Sequence, residues 1–468
     1  MKRKSLLFIL LFLMTFGAFS QDDHYWSQQF GANSTLMGGA VVAGVRDNSA
    51  IYYNPGALGF IQHPSLSVDA NVYKIDKIFI NDGVGSGVDL NSAQLWIYPQ
   101  IISGLVNIVK DERWKFSYAL LTRQYSNVLM SARYTQADFS SDQVFPGDKF
   151  IGAVDYNATL NEQWGGLGAS FRISDHLSVG ASLFISYRAQ SYQFSNYLRY
   201  MMKDDTSSLL LTYNHDKTLK YKTFSGLLKF GLAWQKGEWK IGLTVTTPRV
   251  QFFGNGNIQR EESAVALDNT SGEGFLVMGR LSNIKAKYKS PLSIGAGVEY
   301  SGKKTRVTFS CEYFFAIKTY HLFETNSDPF VYPAADDTGS VHQNLQSFLH
   351  VTNAARAVFN IGLGFSQDLG TKFTLLLGAR TDYSTFTLPV EGDKYLHNSA
   401  GWDIYHFTGG VAYHQKRNTV TLGFTYSYSP GVSFSNDDLI LPVSLDSPAR
   451  VYAQSFGIII GYTYYFPK

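Results

Sequence analysis

The stretch FGIIIGYTYYF at residues 456–466 decides the fold class. Its even-numbered positions carry only Phe, Ile or Tyr, whereas its odd-numbered positions include Gly457, Gly461 and Thr463. Successive side chains of a β-strand point to opposite faces of a sheet. A period of two over this length therefore predicts a strand with one bulky apolar face and one smaller face.

The same alternation recurs at residues 177–188, 359–366 and 420–428. A soluble β-sandwich alternates too, but its second face meets water and usually carries more charge. Here the second face is mostly Gly, Ser and Thr, which suit an enclosed lumen. Isolated charges on this face are Lys115, Arg172, Lys229, Lys240, Glu299, Glu312 and Arg380. We therefore predict an all-β fold, a closed antiparallel transmembrane β-barrel whose bulky residues face lipid.

Composition favours the same class of protein. Charged residues are 16% of the chain and aromatic residues 15%, whereas soluble domains carry about 25% charged residues. Lipid bordered by aromatic girdles would account for an outer surface with so little charge. The net charge of +3, with mixed signs, indicates no nucleic-acid partner. Beyond residue 20 no apolar run approaches the roughly 18 residues of a transmembrane helix, so a membrane protein with this sequence is expected to be a closed barrel.

The first 20 residues have the pattern of a cleavable signal peptide. A basic start, MKRK, is followed by an apolar run at residues 6–16 and by small residues before Gln21. Export and the barrel pattern together predict an integral protein of the Gram-negative outer membrane, with both termini in the periplasm. We expect a monomer in contact with outer-membrane lipid, inserted by the barrel assembly machinery. Because Cys311 is the only cysteine, no internal disulfide can form.

Short and long connections alternate along the chain, as in barrels with tight periplasmic turns and long extracellular loops. Short turns are predicted at residues 110–113, 174–176, 236–238, 302–304, 368–372 and 415–418, and long connections at 74–90, 124–160, 189–223, 249–283, 316–355, 385–401 and 430–451. This alternation predicts about fourteen strands. Sixteen is the alternative, because residues 127–135 could form another strand or extend the third, and Pro291 suggests a bulge in the eighth. The predicted strands lie near residues 65–73, 92–98, 114–122, 161–173, 177–188, 224–235, 239–248, 285–300, 305–315, 358–367, 373–383, 404–414, 419–429 and 453–466.

Residues 21–64, ahead of a predicted barrel at residues 65–468, do not alternate. They contain MGGA at residues 37–40, DNSA at 47–50 and YYNP at 52–55. Small residues with a few apolar ones suggest short helical turns packed against confining walls, as in an N-terminal hatch inside the barrel. Together with SDH at residues 174–176 and KSPLSIG at 289–295, this motif resembles the FadL family of outer-membrane channels for long-chain fatty acids and aromatic hydrocarbons.

The resemblance implies a fourteen-stranded barrel with a hatch in its lumen. An apolar ligand would pass the loops, bind an apolar pocket and leave sideways through a gap in the wall, because exposing each CH₂ to water costs about 0.8 kcal/mol. Asn54 and Pro55 match the hatch motif, and we expect Phe30, Tyr53 and Gly56 to share its gating role. This chain departs from the family in two features. It reads NPGA at residues 54–57 instead of Asn-Pro-Ala-Gly, and its predicted third strand has no Gly or Pro to kink it.

The remaining candidate residues suggest binding and not catalysis. The ten histidines are scattered without metal-ligand spacing, and no nucleophile motif stands in a suitable context, so no enzymatic activity, metal or cofactor is expected. Arg172, Arg188 and Arg380 could contact a carboxylate-bearing substrate, or they could be paired charges that hold hatch and wall together. Aromatic residues on one predicted loop could form a docking surface for an apolar ligand or extend an interfacial girdle. They are Phe314, Phe315, Tyr320, Phe323 and Phe330, with Leu322 and Tyr332 beside them.

Two hypotheses about function follow, and the fold cannot separate them. The first is passive uptake of small hydrophobic molecules through a hatch-gated apolar route. The second is a FadL-like barrel that acts as a scaffold or carrier for protein secretion or surface attachment. An apolar cavity touching residues 21–58 would favour uptake, whereas a hatch packed solid with polar contacts would favour the scaffold.

Overall fold

The computed structural model describes residues 24–83, 88–135, 149–203, 208–267, 272–323, 325, 329–332, 348–387, 401–434 and 449–467. The predicted signal peptide at residues 1–20 lies outside them. Short helical elements come first: α1 (Ala32–Leu36), α2 (Ala50–Tyr53) and a 3-10 helix (Pro55–Phe60). None of the helices described is long and apolar enough to cross a membrane.

The rest of the described chain is β-structure. The strands are β1 (Ser65–Asn81), β2 (Leu90–Val106), β3 (Trp114–Thr135), β4 (Lys149–Arg172), β5 (Leu177–Lys203), β6 (Ser208–Lys236), β7 (Trp239–Thr246), β8 (Val250–Leu267), β9 (Gly272–Lys285), β10 (Ser293–Ser301), β11 (Thr305–Phe314), β12 (Ile317–His321), β13 (Phe330–Tyr332), β14 (Thr352–Ala355), β15 (Val358–Leu369), β16 (Phe373–Asp382), β17 (Ile404–His414), β18 (Asn418–Phe434) and β19 (Ala449–Tyr465).

The sheet closes on itself because β1 pairs with β2 on one side and with β19 on the other. Three pairs of strands each form one wall strand, namely β7 with β8, β9 with β10, and β11 with β13, whereas β12 and β14 pair with each other in a separate two-stranded sheet. The result is a closed antiparallel barrel of fourteen wall strands, which confirms the predicted fold. Pro291 lies in the break between β9 and β10, where the sequence suggested a bulge.

The two ends of the barrel differ. Short connections, such as residues 173–176, 237–238 and 370–372, gather at one end, which we call the turn end. The opposite end, where the strands extend furthest, is the loop end. The predicted short turns are confirmed, but the long connections predicted at residues 124–160, 189–223 and 249–283 are wrong. Most of their described residues belong to extended strands, and residues 127–135 continue β3.

Along these long strands, the bulky apolar side chains change from the outer face of the wall near the turn end to the inner face near the loop end. On the turn-end half of β4, Leu167 is 68% exposed on the outside while Gly168 faces the lumen. On its loop-end half, Val154 is buried inside, whereas Asp155 and Asn157 are exposed outside. An outer face that has left hydrocarbon no longer needs apolar side chains. Because the outer face is polar there, the sequence of these strand extensions resembles that of loops.

Aromatic contacts border the apolar outer band at both ends. At the turn end the rings of Trp114 and Phe171 lie 4.9 Å apart. At the loop end Phe224 lies 4.8 Å from Tyr187 and 4.6 Å from Phe253. Such rows are typical of the two interfaces of a membrane barrel.

Replacing Leu167 by Arg is expected to lower the free energy of unfolding by about 2–4 kcal/mol, because the charge would lie in hydrocarbon. Asn157→Arg, on the outside of the same strand beyond the band, should change it by no more than about 0.5 kcal/mol. Urea titration of both variants folded in lipid bilayers measures the difference. Equal, small effects would contradict a lipid-facing band at Leu167.

Candidate functional site

The N-terminal segment, residues 24–64, contacts the inner face of every wall strand. The Ser182 hydroxyl of β5 donates to the Ile51 carbonyl at 2.9 Å, and the Thr408 hydroxyl of β17 donates to the Leu36 carbonyl at 2.8 Å. On the opposite side, Asn48 Nδ2 donates to the carbonyl oxygens of Ser65 and Ser103 on β1 and β2. Further contacts involve β3, β4, β6, β7, β10, β11, β15, β16, β18 and β19.

Small residues on the inner face leave room for the backbone of this segment. A Cβ added to Gly378 of β16 would overlap the backbone nitrogen of Gly38. A Cβ on Gly242 of β7 would overlap the carbonyl of Val42 in the same way. Glycine permits such close approach of one backbone to another. The face of small residues predicted from the sequence is therefore the surface on which the N-terminal segment packs.

Asn54 joins the segment to the wall. Its buried side-chain amide donates to the carbonyl oxygens of Val42 at 2.8 Å and Leu232 of β6 at 3.0 Å. Its Oδ1 accepts from the backbone N–H of Gly56 at 3.0 Å, which caps the 3-10 helix that begins at Pro55. A Cβ on Gly56 would lie 2.7 Å from the carbonyl oxygen of Gly231. Close packing on β6 thus explains why Gly stands at residue 56, where the family pattern has Ala.

Phe30 and Tyr53 meet within the segment. The Tyr53 hydroxyl accepts from the Phe30 N–H and donates to Gln29 Oε1, both at 2.9 Å. Burial raises the pKa of the Tyr53 phenol well above its ordinary value, so the hydroxyl remains a donor. The Phe30 ring lies 4.5 Å from the Tyr52 ring, edge to face. The five expected gating residues therefore lie within one buried segment, and their gating role stays a prediction.

The structure separates the three arginines suggested for the lumen. Arg380 Nε donates to the Trp26 carbonyl at 3.1 Å, next to Asp382, which accepts from the Trp26 N–H at 3.0 Å. This arrangement ties β16 to the N-terminal segment. Arg188 instead bonds to wall residues, and Arg172 is half-buried at the turn end of β4.

A charged cluster lies above the N-terminal segment. Fully buried Arg188 donates to Glu162 at 2.7 Å, and Arg249 donates to the same carboxylate at 2.9 Å. The Tyr288 ring lies 4.0 Å from the first guanidinium and 4.6 Å from the second. Both arginines are therefore paired within the wall.

The aromatic residues expected on one exposed loop do not form a single surface. Phe314 is buried, with its ring 4.5 Å from that of Tyr25 in the N-terminal segment. Tyr320 and Phe323 are buried too, because β12 leaves the main ladder to pair with β14. Phe315 and Phe330 are exposed, and the side chain of Tyr332 lies outside the described residues. The prediction of one exposed cluster is wrong, and contact of any member with a ligand stays a prediction.

A lumen cavity of about 190 Å³ lies between the segment and the loop end. Ser27 and Gln28 border it from the segment, and Val128 and Leu160 from the wall. Trp402 adds an apolar surface near β17. Buried apolar residues continue from there toward the loop end: Phe194, Leu198, Leu219, Ile258, Phe323 and Phe348. A cavity of about 150 Å³ lined by apolar side chains is large enough for benzene.

The wall is interrupted beside this cavity. Pairing between β2 and β3 runs only from Ile101 and Leu121 to Val106 and Phe116. Beyond these residues, toward the loop end, β2 remains paired with β1 and β3 remains paired with β4, but β2 and β3 do not pair with each other. Pro99 lacks a backbone donor, and β3 shifts register at Arg123.

Side chains span this gap in place of the ladder. The Thr122 hydroxyl donates to the Pro99 carbonyl at 2.8 Å, and the Leu129 N–H donates to Ser92 Oγ at 3.2 Å. Ser92 and Val128 also border the cavity. Sequence reasoning missed the gap because it looked for a kinking residue in the third strand, whereas the proline is in the second.

A second interruption lies between the ladder of β7 with β10 and the ladder of β8 with β9, at residues 247–254 and 286–292. Here Gln251 supplies both kinds of hydrogen bond that the ladder lacks. Its Nε2 donates to the Ala286 carbonyl at 2.7 Å, and its Oε1 accepts from the Tyr288 N–H at 2.8 Å. Ser290 Oγ also accepts from the Arg249 N–H at 3.0 Å across this break. Within the described residues, no group of His, Cys, Asp and Glu is placed to hold a metal ion.

Solved structures share this architecture. The chain matches the crystal structure of the Pseudomonas putida toluene transporter TodX with a TM-score of 0.58 at 14% identity, over 94% of this chain and 99% of that one. The fold is that of this transporter. A Pseudomonas aeruginosa FadL homologue matches with a TM-score of 0.54 at 12% identity, over 97% and 100% of the two chains. The Ralstonia pickettii toluene transporter TbuX gives 0.51 at 14% identity, over 94% and 99%. No family model and no curated protein sequence matches the chain.

Replacing Gly378 by Ala should displace the N-terminal segment, because the added methyl group would overlap the backbone at Gly38. We expect faster cleavage of residues 24–64 by added protease, with the barrel still folded by its heat-modifiable migration on a gel. Gly165→Ala is the control, because its Cβ would lie at an ordinary 3.5 Å from Leu120. Cleavage of Gly378→Ala at the wild-type rate would show that close packing at Gly378 does not hold the N-terminal segment in place.

Proposed function

We propose that this protein is a passive outer-membrane channel for small hydrophobic molecules, including one-ring aromatic hydrocarbons, and that its N-terminal segment is the hatch. The observation that carries the proposal is the lumen cavity, which borders the N-terminal segment on one side and the gap between β2 and β3 on the other. A ligand could pass from this cavity into the bilayer without crossing water.

The size of the cavity supports small ligands, and its lining offers apolar contacts at Val128, Leu160 and Trp402 beside the ion pair of Lys74 and Asp76. The volume of about 190 Å³ exceeds what benzene needs but lies below the roughly 300 Å³ at which pockets for drug-sized ligands begin. A longer chain would fit only if part of it lay in the gap or among the apolar residues toward the loop end. Transfer from this lining into lipid avoids exposing the ligand to water.

The outer surface beside the gap supports release sideways. Leu95 and Ile97 of β2 are 57% and 69% exposed on the outside of the wall. Both belong to the stretch of β2 that has no partner on β3. A molecule leaving between the two strands would therefore meet apolar side chains and then hydrocarbon.

Placement of the turn end in the periplasm belongs to this proposal, as barrels of the outer membrane keep short turns there. The scaffold hypothesis draws support from the many polar contacts between the N-terminal segment and the wall. A solid hatch would need no cavity above it, however, and uptake accounts for both features.

Replacing Asn54 by Ala is expected to abolish the uptake of toluene that the protein confers on Gram-negative cells expressing it. Its side chain makes three hydrogen bonds that hold the segment against β6, each contributing roughly 1 kcal/mol, so the floor of the cavity should shift. Deleting residues 21–32 should have the same effect with the barrel still folded.

Thr35→Val is the matched control within the same segment. The Thr35 hydroxyl is buried without a hydrogen-bond partner among the described residues, so its loss should leave uptake unchanged. Normal uptake by Asn54→Ala would defeat the gating role.

Linking the two sides of the gap should stop release of the ligand but not its binding. In a Cys311→Ser background, Ser92→Cys and Val128→Cys place thiols on β2 and β3 on the lumen side of the gap, where both residues border the cavity. A short thiol cross-linker should block toluene uptake, and a cleavable version should restore it on reduction.

The pair Leu129→Cys and Asn157→Cys serves as the control, because these residues face each other across the intact ladder of β3 and β4. Cross-linking this pair should have no effect on uptake. If the first cross-link also leaves uptake unchanged, the route does not pass between β2 and β3.

A further inference from the structure

A groove of about 690 Å³ crosses the outside of the barrel over β3, β4, β5, β6 and β8. Its outward-facing side chains include Asn127, Asn161, Lys220, Lys222, Asn255 and Asn257. Residues between them, such as Leu160 and Tyr221, are buried and face the lumen. The groove therefore lies on the outer surface, across the wall from the lumen cavity, with which it shares wall residues such as Asn127 and Leu160.

The groove begins directly beyond the apolar band. Lys222 pairs with Asn255 across the ladder of β6 and β8. The next outward residue of β6 toward the turn end is Phe224, which contacts Tyr187 and Phe253 in the aromatic row. Aromatic rows mark the interface of a bilayer, so the groove lies at the level of lipid headgroups.

The chemistry of the groove fits a phosphorylated sugar. Lys220 and Lys222 are exposed, and none of the residues lining the groove in the described structure is Asp or Glu. Side-chain amides line the same groove: Asn255 donates to Asn283 at 3.1 Å, and Asn257 accepts from the Asn283 N–H at 2.8 Å. Ammonium groups attract phosphate, and amides both donate to and accept from sugar hydroxyls.

We propose that this groove binds the phosphorylated saccharide headgroup of a lipid in the outer leaflet. The loop end faces outward in barrels of the outer membrane, which places the groove on the side of that leaflet. Acyl chains of the bound lipid would continue onto the apolar band below the aromatic row. This inference depends on the position of the barrel in the membrane and not on what the lumen transports.

The test is titration of the detergent-solubilised full-length protein with diphosphoryl lipid A, measured by native mass spectrometry. Lys220→Ser combined with Lys222→Ser should weaken binding by about tenfold or more, because each Lys adds to the electrostatic attraction between the protein and an anionic lipid. Monophosphoryl lipid A should bind more weakly than the diphosphoryl form. Lys303→Ser combined with Lys304→Ser removes the same charge at the turn end and should bind like the wild type.

Three results would overturn the proposal. The first is wild-type affinity of the Lys220 and Lys222 double variant. The second is phosphatidylglycerol binding as tightly as diphosphoryl lipid A, since charge without sugar would then suffice. The third is full displacement of lipid A by an equal concentration of inorganic phosphate, which would indicate a soluble anion. Heat-modifiable migration and toluene uptake of the double variant should both match the wild type, which separates loss of lipid binding from misfolding and from failure of the transport proposal.

Discussion

Pairing of backbone amides in hydrocarbon is the constraint on which this structure depends. An unpaired N–H or C=O facing lipid costs several kcal/mol, so the ladder must close, as it does between β1 and β19. Two of the interruptions in the described wall show how the structure meets that constraint. Gln251 replaces the missing ladder bonds at one of them. At the other, beside Pro99, side chains make the contacts across the gap: Thr122 and Ser92 form hydrogen bonds, and the Tyr125 ring packs against Trp96 and Tyr98. A wall that must stay paired is most easily opened where side chains already stand in for the ladder.

The residues that line the barrel interior change in character from the turn end to the loop end. Near the turn end the wall is built of small residues, because the backbone of the N-terminal segment packs directly on it at positions such as Gly378. Above the segment, the buried carboxylate of Glu162 holds Arg188 and Arg249 together. Toward the loop end the inner face turns apolar around Phe194 and Phe323. The lumen cavity lies where these levels meet. The same change of depth turns the outer face polar and creates the groove at Lys220 and Lys222.

Sequence patterns were sufficient for the barrel but not for its full height. Alternation at residues 177–188 identified the part of β5 that faces lipid, because bulky and small side chains separate there. Beyond Ala189 the same strand continues, but its bulky residues Tyr192 and Phe194 face inward and its outer face is polar. A rule that places bulky residues on the outer face therefore cannot predict this part of the strand, where they lie on the inner face. The sequence singled out Asn54 and Pro55 of the N-terminal segment, but it did not explain Gly56, because the close contact that requires glycine there is with Gly231 on β6.

Local sequence patterns were enough to predict the period of the strands, the short turns and the position of the N-terminal segment ahead of the barrel, since each depends on residues within a few positions of one another. The cavity, the gap and the outer groove came from contacts over long separations: Asn54 with Leu232, Ser92 with Leu129, and Lys222 with Asn255. Barrel closure and register set these contacts, and a register change of one residue would turn every side chain of a strand to the opposite face. No local pattern carries that information, because pairing is a property of two strands and not of one.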